Sequence, residues 1–261
     1  MSWAARRRIL ILFILALMGA VVASFYLYPY FFRTPTCFDG KKNGDEQGID
    51  CGGTCQKICP RAEMDNVLVK YARFMPTMPG QYDLFAYVEN QNPHAASKSL
   101  SYRFRLYDSK GVVIADRTGT TPVYANTVVP VFEPNLNTGN DKPARASFDF
   151  EEENPVWLFV ESGEANTRIS VLPPQYSSIT GVPKVTAMVE NNTLYRIMKP
   201  SFVIVLYNEN GTAYASSRTV LDKLSPGERA NIFFSWPVNL PEPARMEILP
   251  VIDQFTLSKG I

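Results

Sequence analysis

Histidine is nearly missing from this chain: one residue in 261, His94. A single imidazole excludes any His-rich metal centre and leaves one candidate for a general base. His94 follows Pro93 in a polar turn, and no Ser or Cys nucleophile with an orienting acid can be assembled around it, so it reads as a solvated surface residue. Cysteine is absent outside residues 37–59. There is no phosphate-cradling glycine-lysine loop and no Rossmann fingerprint. An excess of one charge is lacking too, with 26 Lys and Arg against 25 Asp and Glu. That balance gives no electrostatic footprint for nucleic acid. The acidic run Glu151-Glu152-Glu153 lies between strand-like residues 146–150 and 156–160 and reads as a solvated turn, not a metal or acid/base pair. Trp157 and Trp236 sit in apolar runs and read as core. The expectation is a non-catalytic protein with no cofactor, no metal and no nucleic-acid partner.

Charge is missing altogether from residues 9–32, ILILFILALMGAVVASFYLYPYFF, a run of 24 residues. As a helix it would extend roughly 36 Å, enough to cross a hydrocarbon core of about 30 Å even if Pro29 ended it early. Fourteen of its residues are Ile, Leu, Val or Phe, and ~0.3–0.6 kcal/mol for each mid-membrane position favours insertion by several kcal/mol. Arg6, Arg7 and Arg8 precede the run, whereas Arg33 stands alone after it. The positive-inside bias then keeps the N-terminus cytoplasmic. Tyr26, Tyr28, Tyr30, Phe31 and Phe32 form an aromatic collar for the outer interface, and Trp3 can serve the inner one.

Two rivals address the same segment. Val21-Val22-Ala23 before Ser24 offers the small residues of a signal-peptidase site, but apolar character continues for eight residues beyond it, favouring a retained anchor. A twin-arginine signal around Arg6–Arg8 fits its surroundings poorly. No Cys follows Ala23, so a lipoprotein-type anchor has no attachment residue. Setting Arg6, Arg7 and Arg8 aside leaves 23 basic against 25 acidic residues, about −2 for an external part of some 229 residues. That length suffices for two domains with their own cores.

All four cysteines, Cys37, Cys51, Cys55 and Cys59, fall in CFDGKKNGDEQGIDCGGTCQKIC. So short a Gly- and Asp-rich segment cannot bury a core, and an even cysteine count on the oxidising side of a membrane implies two disulfides, with three connectivities open. A four-thiolate zinc site is the rival, but paired C-x-x-C knuckles are missing. Asp39, Asn43, Asp45 and Asp50 have calcium-loop spacing with Gly44 at the turn. Lys41 stands at a ligand position, however, and Asp50 is shorter than the usual Glu. The competing reading has these side chains closing turns on neighbouring amides. The segment resembles a small motif of prokaryotic surface proteins, C-x-D-G-x-x-N-G-x-E-x-G-x-D-C-G-G-x-C, here Cys37, Asp39, Gly40, Asn43, Gly44, Glu46, Gly48, Asp50, Cys51, Gly52, Gly53 and Cys55. The resemblance implies an exported surface protein and no particular chemistry.

Beyond a short polar linker, residues 60–65, the chain repeats itself. Ala86-Tyr87-Val88-Glu89-Asn90 returns as Ala187-Met188-Val189-Glu190-Asn191, an offset of 101. Phe104-Arg105-Leu106-Tyr107-Asp108-Ser109-Lys110-Gly111 returns as Ile204-Val205-Leu206-Tyr207-Asn208-Glu209-Asn210-Gly211, an offset of 100. A period of about 100 residues is a domain duplication, too long for a solenoid. Phe202, Ile204 and Leu206 alternate with Val203, Val205 and Tyr207, so the strand has one core face and a second apolar face that can also be covered. The Gly-terminated tetrapeptides read as hairpin turns, and Leu224-Ser225-Pro226-Gly227 as another. Short strands with frequent turns indicate a β-sandwich.

These copies resemble the FxLYD type of prokaryotic extracytoplasmic domain, on Leu106-Tyr107-Asp108, Leu206-Tyr207-Asn208 and Leu224-Ser225-Pro226-Gly227. The first copy departs at Val123-Tyr124-Ala125-Asn126 and at Arg105. The resemblance implies an immunoglobulin-like sandwich and a role in adhesion, scaffolding or envelope interaction. Residues 135–143 are expected to form a polar loop, either a contact site or a spacer. Asn191-Asn192-Thr193 and Asn210-Gly211-Thr212 match the glycosylation pattern.

The expected architecture is mainly β. Residues 1–8 form a cytoplasmic tail, 9–32 a single transmembrane helix, and 33–65 a Cys-rich juxtamembrane module with its linker. Residues 66–165 and 166–261 form two tandem immunoglobulin-like sandwiches. The expected role is a binding or scaffold protein of the cell membrane whose C-terminal domains are extracytoplasmic, in contact with the lipid bilayer and a protein partner in the envelope. The alternatives are an accessory protein of a membrane-tethered enzyme or of a transport or assembly complex, and a sensor subunit.

Overall fold

The computed structural model describes residues 3–31, 34–59, 65–151, 155–160, 169–178, 181–253, 255 and 258–259. Phe32, most of the linker at 60–65, Glu152, Glu153 and the expected boundary at 165/166 lie outside the described residues. The chain divides into two compact units, Met1–Cys55 and Gln56–Ile261.

In the first unit, α1 (Trp3–Phe31) begins ahead of the arginines and runs two residues past Pro29. Proline has no N–H for the carbonyl of Phe25, a loss confined here to the last turn. From Arg6 to Tyr28 none of the helix is buried. By length and composition this helix can cross a membrane. The segment that follows is ordered by covalent and polar ties. Cys37 and Cys55 form a disulfide with Cα atoms 5.6 Å apart, and Cys51 and Cys59 are also disulfide-bonded. Gly53 has a φ of +63°, and a Cβ there would meet the Asp45 carbonyl oxygen at 1.9 Å, so only glycine fits.

The second unit is β throughout its described length. The first strands are β1 (Leu68–Met78), β2 (Gln81–Asn90), β3 (Ala95–Tyr107), β4 (Val113–Val123), β5 (Thr127–Asn137), β6 (Arg145–Phe150) and β7 (Leu158–Phe159). They form an antiparallel sheet β1-β2-β5 facing a second sheet β4-β3-β6, with β7 paired to the start of β3. Between the sheets lie Leu84, Ala86 and Val88 of β2, Tyr102, Phe104 and Leu106 of β3, Val131, Phe148 and Trp157.

The later strands are β8 (Ile169–Val171), β9 (Gln175–Ser177), β10 (Lys184–Asn191), β11 (Tyr195–Met198), β12 (Ser201–Tyr207) and β13 (Ala213–Val220). They are followed by β14 (Lys223–Leu224), β15 (Arg229–Ser235), β16 (Arg245–Val251) and β17 (Ser258–Lys259). Here β15-β10-β8, with β9 also on β10, faces β13-β12-β16, and β11 joins β14 and β17. Val185, Ala187 and Val189 pack on Phe202, Ile204, Leu206, Phe234 and Trp236. The fold is thus mainly β, with sandwich-type sheet pairs preceded by one apolar helix and a small disulfide-bonded module.

The two halves use matching local bonds. Asp108 N–H donates to the Val112 carbonyl at 2.9 Å and Gly111 N–H to Asp108 at 3.1 Å; Asn208 and Gly211 do the same to Thr212 and Asn208 at 3.0 and 2.9 Å. Both glycines have positive φ, +83° and +72°. Asn90 and Asn191 are buried, and each side-chain amide donates to two carbonyls, those of Ala95 and Tyr124 and those of Tyr195 and Leu224. Asn126, with a φ of +49°, takes the left-handed role that Gly227 has in the second half.

The stretch 135–143 differs from the expected loop. Asn135–Asn137 belong to β5, with Leu136 opposite Tyr82 and Asn137 opposite Gln81. Buried Thr138 then donates its N–H to Gly80 at 2.9 Å. Asp83 makes this possible by accepting the Asn135 N–H at 3.0 Å where the ladder shifts register. Burial raises the Asp83 carboxyl above its usual range, opposed by that bond.

Candidate functional site

The best-defined polar constellation lies between the two sandwiches. On β2 and β12 both faces are covered: Leu84, Ala86 and Val88 point into the first core while Phe85 and Tyr87 point out, and Phe202, Ile204 and Leu206 alternate with Val203, Val205 and Tyr207 in the same way. The outward sets meet. Met75, Phe85, Tyr87 and Phe132 pack with Val203, Val205, Tyr207 and Ala213, bordered by Tyr71, Leu249 and Val251. Four sheets are therefore stacked as β4-β3-β6, β1-β2-β5, β13-β12-β16 and β15-β10-β8. Phe85 and Tyr87 pack edge to face at 4.7 Å, and Tyr71 meets Tyr87 likewise at 5.0 Å.

At the polar end of this junction Glu247 of β16 collects hydroxyls. Tyr207 donates to its Oε2 at 2.8 Å and Tyr87, from the other sandwich, at 3.0 Å. Arg245 adds a bond at 3.3 Å to the same oxygen and lays its guanidinium 3.7 Å from the Tyr207 ring centroid. Tyr71 Oη lies 3.4 Å from that of Tyr207. One phenol supplies one proton. With Tyr87 and Tyr207 both donating to Glu247, Tyr71 donates to Tyr207, and the 3.2 Å approach of Tyr87 to Tyr207 carries a proton only when one donor turns away from the carboxylate. Burial first, then the bond to Tyr207, pushes the Tyr87 and Tyr71 phenols well above the usual range. These groups stay neutral and act as donors, not bases.

The corresponding face of the first sandwich is open and charged. Where β12 has Val203 and Val205, β3 has Arg103 and Arg105, with Asp116, Asp149 and Glu151 around them. Arg145 stacks 3.9 Å from the Tyr107 ring centroid as Arg245 does on Tyr207, but the Tyr107 hydroxyl meets Ser147 at 3.3 Å in place of a glutamate. Exposed pairs of this kind contribute little stability, about 0–1 kcal/mol. Their effect is to keep the face wet.

Among the cysteine-segment residues, Asp39 accepts the Lys41 N–H at 2.9 Å and the Asn43 side-chain amide at 2.8 Å, and the Asn43 bond leads in holding its carboxyl below the usual range. Asp50 accepts the Gly40 N–H on both oxygens at 3.0 and 3.1 Å. Glu46 takes the Asn43 N–H at 3.2 Å. Asp45 is exposed. The structure thus brings Asp39, Asn43 and Asp50 together through turn-closing bonds. Cys37, Glu46 and Cys55 also cluster, but sulfurs bonded to each other are not thiolate ligands.

His94 is exposed, stacks on Phe159 with ring centroids 5.4 Å apart, and places Nδ1 3.2 Å from the Val160 carbonyl oxygen. Glu151 is engaged with Arg103. Sequence reasoning singled out Tyr207 but missed Tyr71, Tyr87, Arg245 and Glu247. The available signal was the offset of 100, which sets Glu247 opposite Ser147 and makes the acid specific to the second half.

No family model matches the chain, and no curated protein matches it. Among solved structures it is similar to a red sea bream transglutaminase at 11% identity and a TM-score of 0.27, over 73% of this chain and 30% of that one. It is also similar to a protein described as a β-galactosidase from Bacteroides fragilis, at 9% identity and a TM-score of 0.23, over 69% and 33%. A third likeness is to the C-terminal globular domain of oligosaccharyltransferase from Pyrococcus abyssi, at 10% identity and a TM-score of 0.13, over 76% and 50%. The chain spans a third or less of the length of the first two. Scores this low bear on neither fold nor activity.

Proposed function

We propose that the chain is a membrane-anchored, extracytoplasmic binding or scaffold protein of the cell envelope that performs no catalysis and presents two tandem FxLYD-like sandwiches to a protein partner. The observation that carries this reading is α1, uncharged from residue 9 to residue 28 behind Arg6, Arg7 and Arg8 and exposed along Arg6–Tyr28. Lipid is the solvent such a surface requires. Arg6, Arg7 and Arg8 favour a cytoplasmic N-terminus, and the oxidised cysteines suit the opposite side. The matching Asp108–Gly111 and Asn208–Gly211 turns and the paired Asn90 and Asn191 bonds support a duplicated domain. A scaffold gains from a stiff connection between its modules, and the Tyr71, Tyr87, Tyr207 and Glu247 junction supports that part.

Protease treatment of intact cells carrying an epitope at each end tests the topology. The C-terminal epitope should be lost and the N-terminal one retained on a membrane fragment. The opposite pattern, or release of the protein cut after Ala23, overturns it. Cross-linking on the same cells tests the binding role. A covalent complex with another envelope protein is expected, and a strictly monomeric product removes the scaffold reading.

A further inference from the structure

The disulfide-bonded segment after α1 turns an unusual set of side chains outward. Phe38 is 94% exposed and Ile49 62% exposed, although their neighbours are tightly held. Phe38 lies next to the bonded Cys37, and Ile49 next to Asp50, whose carboxylate is tied to the Gly40 N–H. Both apolar side chains therefore project from one cross-braced turn region. The acids of that region are mostly used up internally: Asp39, Glu46 and Asp50 accept backbone or side-chain amides of the segment itself. Lys41 and Lys42 are left exposed in the same turn. A small unit with a rigid backbone, no core to recruit the Phe, and cationic side chains beside it has the amphipathic pattern of an interfacial contact.

Chain connectivity says which interface. Phe38 is seven residues beyond Phe31, the last residue of α1, and at ~3.4 Å per residue that tether reaches no more than about 24 Å even when fully extended. We propose that this segment rests on the lipid–water interface, with Phe38 and Ile49 entering the headgroup and upper acyl region and Lys41 and Lys42 staying among the headgroups. This contact rests on the anchor reading of α1, and the two are separable by experiment.

The test is photo-crosslinking of the full chain in liposomes of mixed phosphatidylcholine and phosphatidylglycerol, with benzoylphenylalanine introduced singly at 15, 38, 49 or 113. Leu15 lies mid-helix and reports the anchor; Val113, exposed at the start of β4, is the soluble control. Positions 15, 38 and 49 should give lipid adducts by mass spectrometry, with yields at 38 and 49 at least five-fold above 113. Adducts at 15 with 38 and 49 no higher than 113 would overturn the inference and leave the anchor standing. No adduct at 15 would overturn both. Phe38→Ser with Ile49→Ser supplies a second readout, since losing the contact should raise trypsin cleavage at Lys41 and Lys42 several-fold while the disulfides persist. Unchanged cleavage counts against the contact.

Discussion

Glu247 gathers two buried phenols from different sandwiches, and the energetics of that arrangement are asymmetric. A buried hydroxyl left without an acceptor costs about 1–3 kcal/mol. Glu247→Ala lets one of Tyr87 and Tyr207 turn its proton to the other and leaves the remaining hydroxyl without an acceptor, so chemical denaturation should show a loss of about 1–3 kcal/mol, with Glu247→Gln losing less because its carbonyl still accepts. Tyr87 also gives the chain an alkaline limit. Tyr87 is 8% exposed and its folded pKa is raised by burial, then by Tyr207 and Glu247. A raised pKa means the folded state keeps a proton that the unfolded state releases. That contribution is fully present below about pH 10, the ordinary tyrosine value, and is lost as pH rises toward the folded value, at ~1.4 kcal/mol per pH unit for one phenol. Stability measured between pH 9 and 11 should fall, and Tyr87→Phe should flatten the slope. An unchanged slope would remove Tyr87 as its source. Asn191 is fully buried with its side-chain amide bonded to Tyr195 and Leu224. It cannot carry a glycan in the folded protein. Asn210, exposed on the β12–β13 turn, is the sequon open to modification, and peptide mapping should find Asn191 bare.

At the scale of elements, β12 was the most legible strand and still hid its main role. Its alternation of Phe202, Ile204 and Leu206 with Val203, Val205 and Tyr207 announces two apolar faces. What covers the second face could not be read, because Phe85, Tyr87 and Phe132 lie more than 70 residues away, and an apolar run on each strand does not say which strands meet. The equivalent strand β3 shows the contrast, carrying Arg103 and Arg105, which pair with Asp116 and Asp149. Residues 135–143 were hard to read for another reason. Asn, Thr and Gly favour turns locally, yet pairing of Leu136 and Asn137 with β2 and the Asp83 bond hold the first part in the sheet. Two substitutions separate core from junction. Leu106→Ala and Leu206→Ala, both at fully buried positions, should each cost about 2–5 kcal/mol. Val205→Asp should cost about 3–5 kcal/mol by burying an unpaired charge between the sandwiches. Its effect should fall on the junction, read as faster hydrogen exchange in β1 and β16 while exchange in β10 and β3 stays slow.

For the whole molecule, the four-layer stack of sheets decides how it unfolds. Each sandwich has its own core, and two separate cores would ordinarily melt as independent steps. The third cluster changes this, because β2 and β12 each contribute one face to a core and the other to the junction. Losing either sandwich would expose Phe85, Tyr87, Val203 and Val205 together. Sandwich domains joined by a flexible linker lack that linkage, and a repeat of about 100 residues alone would have suggested it was absent here. The prediction is a single cooperative transition for Gln56–Ile261, measured on the full detergent-solubilised chain by calorimetry with a matching fluorescence trace from Trp157 and Trp236, which sit in different cores. In Val205→Asp the two tryptophans should part company, with one probe shifting several degrees below the other. Two transitions already present in the unmodified chain would mean that the junction is too weak to couple the sandwiches. They would then move as separate modules, and the rigid-scaffold reading would fall with the coupling.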